Sequence, residues 1–385
     1  MTGLAERVQT LSAPVSSSGQ PAPFKYPTPA KGAIQSLAWT HAVPKLAWSP
    51  EVERLGVTSF SPPPKAEGIT DVGGAYVFTP ATGRLDQLPA APALTIDGLA
   101  WSPDNAALAI VEPEGVAIVD VVRQKRLAAI ETKRRPLSIS WSTISGDLAV
   151  ALAPTNDEAN RVEIYRLNQR PELMRFIERD SSVHAQVVSI GWSPNGKHLA
   201  GLICDYAQLA RLVIWHGSEE IGGLQLGSGW VVRPVISQAW LPSGIEIVIA
   251  FQPIVPSGSE TEIADYTEIV VWKPFANPPA ILRRQFKLGP FGVFGAQWSP
   301  DGRFITCCTG EEILIIDPED LHALDSLPSY YSEVTPAAIT TEDGEWTVTG
   351  LGFTVRHNWS SDGNWLVAGN VGGLALWDTR LLRFE

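Results

Sequence analysis

Seven tryptophans constrain this 385-residue chain more than any other feature. Trp48, Trp101, Trp141, Trp192, Trp240, Trp298 and Trp359 each close a short apolar run and open a turn. The turns read Trp-Ser-Pro-Glu, Trp-Ser-Pro-Asp-Asn, Trp-Ser-Thr-Ile-Ser-Gly, Trp-Ser-Pro-Asn-Gly, Trp-Leu-Pro-Ser-Gly, Trp-Ser-Pro-Asp-Gly and Trp-Ser-Ser-Asp-Gly. A unit that recurs in this way is one supersecondary element, unable to bury its apolar face except against a copy of itself.

The apolar runs have a period of two. In Pro136-Leu137-Ser138-Ile139-Ser140-Trp141, Leu137, Ile139 and Trp141 point one way and the two serines the other, which is the strand signal. A second run follows each turn, as in Leu108-Ala109-Ile110-Val111 and Leu366-Val367-Ala368-Gly369. The proline presets a turn backbone, and Asp-Gly or Asn-Gly supplies residues that tolerate positive φ, so each tryptophan opens a hairpin. A third run ends in an aromatic or an aspartate, such as Ile269-Val270-Val271-Trp272 or Leu374-Ala375-Leu376-Trp377-Asp378. In the first six units a fourth run comes next, such as Arg126-Leu127-Ala128-Ala129-Ile130. Four strands per unit are expected.

Successive motif tryptophans lie 40 to 61 residues apart. With its paired motifs recurring in register, the chain resembles the WD40-repeat β-propellers. The resemblance implies an all-β fold of seven four-stranded antiparallel blades over residues 33–385. The Trp-Asp dipeptide stands only at Trp377-Asp378, and no Gly-His pair opens a unit. The hydrogen-bond network of full-pattern units is therefore largely missing, and packing is expected to replace it. The last unit lacks a fourth run, and Ala33-Ile34-Gln35-Ser36-Leu37-Ala38-Trp39 precedes the first motif unassigned. This segment is expected to complete the last blade and close the ring. Residues 1–32, rich in Ser, Pro and Ala, read as a flexible arm.

Bulk properties exclude some functions. Apolar residues make up 44% and charged residues 18%, values of a folded globular chain. A net charge of −12 repels phosphate backbones, so nucleic acid is not an expected partner. Cys204, Cys307 and Cys308 make no disulfide framework and read as small apolar residues; Cys307 and Cys308, adjacent on a strand, point to opposite faces. With no signal-like N-terminus and no transmembrane-length apolar stretch, an intracellular location, cytoplasmic or nuclear, is expected.

No catalytic set emerges. Gly227-Ser228-Gly229 is not a nucleophile elbow, and Gly222-Gly223 reads as a hairpin turn. None of the histidines pairs with another His or Cys at metal-ligand spacing. No catalytic residue, cofactor or metal is assigned. Partner-binding candidates are of two kinds. Arg123, Lys125, Arg126, Lys133, Arg134 and Arg135 form a basic segment in an acidic chain, suited to acidic or phosphorylated peptides. Trp230 and Arg233, Phe291 and Phe294, and Tyr330 and Tyr331 fall in inter-unit connections, where aromatic and Arg anchors serve protein interfaces. Two insertions, near 252–267 and 328–347, break the rhythm, and long loops on a rigid scaffold tend to be functional or disordered. The expected function is a non-enzymatic interaction scaffold within a multiprotein complex. A propeller enzyme with a site at the central channel is the alternative, beside the peptide reader.

Overall fold

The computed structural model describes residues 35–38 and 42–381, apart from connections 61–73, 94–97, 179–184, 205–208, 229–238, 288–292, 329–336 and 349–355 and a few isolated positions. Seven antiparallel sheets form the blades of a ring. The second blade shows the plan: Leu99–Trp101 innermost, then Ala107–Glu112, Gly115–Asp120 and Lys125–Glu131. The Leu-Ala-Ile-Val runs form the middle strands, buried on both faces, whereas the outer strand is largely exposed. No α-helix occurs among the described residues, and none is long and apolar enough to cross a membrane.

Two blades depart from the plan. In the fifth, Ile247–Phe251, Thr267–Lys273 and Ala280–Phe286 form a three-stranded sheet. Its inner element is an isolated bridge, Trp240 to Ile247, beside a bond from the Val248 amide to the Ala239 carbonyl at 2.9 Å. In the seventh, Arg356–Trp359, Trp365–Asn370 and Gly373–Asp378 are joined by Gln35–Ala38, which pairs with the third strand from Gln35 opposite Leu376 to Ala38 opposite Gly373.

The core lies between blades. Each of the seven hydrophobic clusters fills one seam of the ring. Leu46, Trp48 and Phe78 of the first blade meet Val367, Leu374 and Leu376 of the seventh. Ile249 and Phe251 of the fifth meet Leu212 and Ile214 of the fourth. Cys307 enters the seam between the fifth and sixth blades, and Cys308 the seam between the sixth and seventh. Period-two alternation thus supplies two opposite seams from one strand. Each fully buried Leu or Ile contributes about 1.5–3 kcal/mol.

Packing is not the sole substitute for the missing repeat network, because hydrogen bonds also cross the seams. The Trp101 indole N–H donates to the Ala47 carbonyl of the preceding blade at 2.8 Å. Trp240 donates in the same way to Gly191 at 3.0 Å, and Trp48 to Asn358 at 3.3 Å. Each acceptor immediately precedes the motif tryptophan of its own blade. Where that position is polar, its side chain also reaches across. Ser140 Oγ accepts from the Trp192 amide at 3.0 Å, and Asn358 Oδ1 from the Trp48 amide at 3.0 Å. Gln297 donates to the His357 carbonyl at 2.5 Å. Asn358 is therefore engaged and buried within a seam.

Candidate functional site

The strand order fixes two faces. Every first hairpin, bearing the turn after its motif tryptophan, and every turn between third and fourth strands emerges on one, the turn face. Connections between second and third strands, and between blades, emerge on the other, the loop face.

The turn face is self-satisfied. In the second blade, Ser102 Oγ donates to Asp104 at 2.6 Å and accepts from the Ala107 amide at 2.8 Å, while Asp104 accepts from the Ala106 amide at 3.1 Å. Ser299 with Asp301 and Ser360 with Asp362 repeat the arrangement at 2.7 and 2.5 Å. The Ser102 hydroxyl, with the Ala106 amide, holds the Asp104 carboxyl below its usual range. At Asp301 burial pushes upward, but the Ser299 hydroxyl and Arg303 outweigh it. At Asp362 burial is likewise outweighed by Ser360 and Asn364. Such carboxylates are turn caps, held ionised, and are poorly suited to general acid chemistry at neutral pH.

The same turns abut around the ring. The Ser361 hydroxyl donates to the Pro50 carbonyl at 2.7 Å, and the Glu51 amide to Asn105 Oδ1 at 3.2 Å. Gly302, at φ 72°, serves twice: it takes the left-handed turn position, and a Cβ there would stand 3.0 Å from Leu241 of the preceding blade.

The basic segment divides. The seven-residue outer strand Lys125–Glu131 sets its two halves about 20 Å apart. Arg123 lies at the turn-face end and pairs with Asp120 at 3.0 Å; nearby, Arg126 pairs with Glu112. At the loop-face end Arg134 is buried against Glu158 and Glu178, while Lys133 and Arg135 are exposed. The structure thus brings only Lys133 and Arg135 together as exposed cations on the loop face. Trp230, Arg233, Phe291, Tyr330 and Tyr331 lie outside the described residues, and of Phe294 only the backbone, in Val293–Trp298, is described.

Both insertions contain hairpins. Ile254–Ser257 pairs with Glu260–Ile263 between the second and third strands of the fifth blade. Ala337–Thr341 pairs with Gly344–Val348 between the sixth and seventh blades. By topology both rise from the loop face. Gly222-Gly223 is not a turn: it lies within the outer strand Glu219–Ser228, where a Cβ on Gly223 would stand 2.4 Å from the Arg211 guanidinium.

Other titratable groups have local roles. Asp317, Asp320 and His322 bring three potential ligand atoms within 4.8 Å of one another. Asp320 already accepts from the His322 amide at 2.9 Å and lies 2.5 Å from its Nδ1, and Asp317 accepts from the Glu319 amide at 2.7 Å, so the trio caps a turn. His198 sits between the His216 and Phe275 rings at 5.5 and 4.8 Å. Burial, with the nearby His216 and Lys197 charges, lowers its pKa.

Five outer-strand bulges escaped sequence reasoning. Leu127, Met174, Ile221, Leu226 and Leu324 are each skipped in the register of their blades, and the first three are exposed. A bulge disrupts the free edge for further strand pairing.

No protein-family profile and no curated protein sequence matches the chain. Solved structures share its fold. Kuenenia stuttgartiensis hydrazine synthase aligns with a TM-score of 0.66 at 14% identity, covering 94% of this chain and 100% of that one. The Myceliophteria thermophila Cps50 (Swd1) β-propeller domain aligns at 0.61 and 13%, covering 89% and 99%. A chain of the mitotic checkpoint complex aligns at 0.59 and 16%, covering 97% and 99%.

Proposed function

We propose that this protein is a non-enzymatic scaffold, an intracellular propeller subunit of a multiprotein complex that binds protein partners through its loop face. One observation carries the reading: both inserted hairpins, Ile254–Ile263 and Ala337–Val348, emerge there, whereas the opposite face consists of short, internally bonded turns. Long connections on a rigid ring are where binding function concentrates. Exposed Lys133 and Arg135 extend the same face, and Trp230, Phe291, Tyr330 and Tyr331 belong by sequence to the segments between units. Two structural relatives, a β-propeller domain and a chain of a checkpoint complex, support it by kind. A relative that is an enzyme shows that fold alone decides nothing, so the reading rests on the faces.

The test replaces hairpins 254–263 and 337–348, singly and together, by short Gly-Ser turns. Crosslinking and co-purification from native extract are expected to lose specific partners, with the unfolding midpoint unchanged. A chain that is solitary in its extract, or partners retained by the double replacement, would sink the idea.

A further inference from the structure

The first blade's turn breaks a rule that the other six keep. Its left-handed position is held by Asn105, Gly146, Gly196, Gly244, Gly302 and Gly363 in the later blades. In the first blade it is held by Val52, at φ 61°. A β-branched residue is strained there, and such strain gathers at ligand-contacting positions. Val52 lines a groove of about 660 Å³ on the turn face, spanning the seventh, first and second blades. Trp48, Trp365, Val77, Pro80 and Val121 form much of its wall. Glu53, Arg54, Arg84 and Asp86 line the rest, so the trough joins an aromatic and apolar wall to charged groups.

The chain supplies a segment of matching chemistry at the right place. Gln35 lies opposite Leu376, and Trp365 opposite Asp378 at the turn-face end of the same sheet. Gln35 therefore stands at the end of its strand nearer the turn face, in the blade that contributes Trp365. Before it in the sequence lies Pro21-Ala22-Pro23-Phe24-Lys25-Tyr26-Pro27-Thr28-Pro29. Alternating prolines favour the polyproline II conformation, and aromatic-lined grooves recognise that form. From Tyr26 to Gln35 such a chain spans about 28 Å. The strand spacings put Trp365 about 12 Å from Gln35, well within reach. Lys25 complements Glu53, exposed at the rim.

We propose that residues 21–29 of the chain's own N-terminal arm occupy the groove, seated on Val52 between Trp48 and Trp365. The strained valine is then a contact residue, and a glycine in its place would remove both strain and seat.

The experiment uses the full chain with Phe24 replaced by a benzophenone-bearing phenylalanine. Irradiation is expected to give an intramolecular crosslink to residues 48–54, 77–86, 121–124 or 365, with a yield unchanged over about a hundredfold dilution. Val52→Gly is expected to hold or raise the unfolding midpoint yet lower that yield about tenfold. Tyr26→Ser, which lies outside the ring, tests the same contact without touching the core and is expected to act alike. A crosslink elsewhere, a yield that falls on dilution and so reports a second copy, or full yield in both variants overturns the proposal.

Discussion

Ser140 shows what a single residue does in this ring. Its hydroxyl accepts the Trp192 amide across a seam, as Ser138 accepts the Ile190 amide, both at 3.0 Å. Ser140→Ala leaves a buried N–H without a partner, and the expected loss is about 1–3 kcal/mol in a urea titration. The sequence showed that these serines face away from Ile139 and Trp141, but not what they meet, since the partner lies 52 residues on. The turn aspartates give a second residue-level prediction. Asp104 has its folded pKa below the reference 3.8, so its contribution is fully present above the unfolded pKa and is lost as pH falls through the folded value. Asn195 occupies the same place in the fourth blade, accepting from Ser193 and the Lys197 amide without titrating in this range. Asp104→Asn should therefore be less stable than the parent at neutral pH, with the difference closing below about pH 4. Unfolding measured across a pH series checks this, and a gap that stays constant to low pH would refute it.

Among the elements, the strand Gln35–Ala38 has the clearest energetic task. It covers the third strand of the seventh blade, whose Leu374 and Leu376 pack against the first. Without it, Gly373–Asp378 becomes a bare edge whose one charge, Asp378, stands at its end, next to that seam, the kind that invites aggregation. We predict that removing residues 1–38 lowers the melting midpoint by about 5 °C or more relative to removing residues 1–32, and promotes association during heating. Equal midpoints and equal solubility of the two truncations would deny the strand a latching role. The pairing was legible because the last unit showed three runs rather than four while an unassigned apolar run stood before the first motif. The outer-strand bulges were not legible in this way. A bulge is a mismatch between two strands, and Leu127 reads locally as one more strand residue.

At the scale of the whole molecule, the ring's stability should depend on all seams together. An open stack of repeats loses terminal units first, because a terminal unit has one neighbour. Here every blade has two, and the seam of the first and seventh blades carries its own apolar cluster, as that of the fourth and fifth does. Blade number could be counted from seven tryptophans, since each closes an inner strand. The polarity of the faces followed from strand order, whereas partners depend on inter-blade connections that carry no repeat. Which residues pack the seam of the first and seventh blades was hidden, because contacts between Leu46 and the last blade join opposite ends of the sequence. Two substitutions probe whether the seams act together. Leu376→Ala opens a cavity in the seam of the first and seventh blades, and Ile249→Ala does so in that of the fourth and fifth; both side chains are at most 1% exposed. Each should cost about 2–5 kcal/mol. In a closed ring both shift one cooperative transition, with tryptophan fluorescence and circular dichroism coincident, and the double variant is additive to within about 0.5 kcal/mol. If Leu376→Ala instead split off an early transition confined to the terminal blades, the molecule would behave as an open array, and the first and seventh blades would be its ends rather than neighbours.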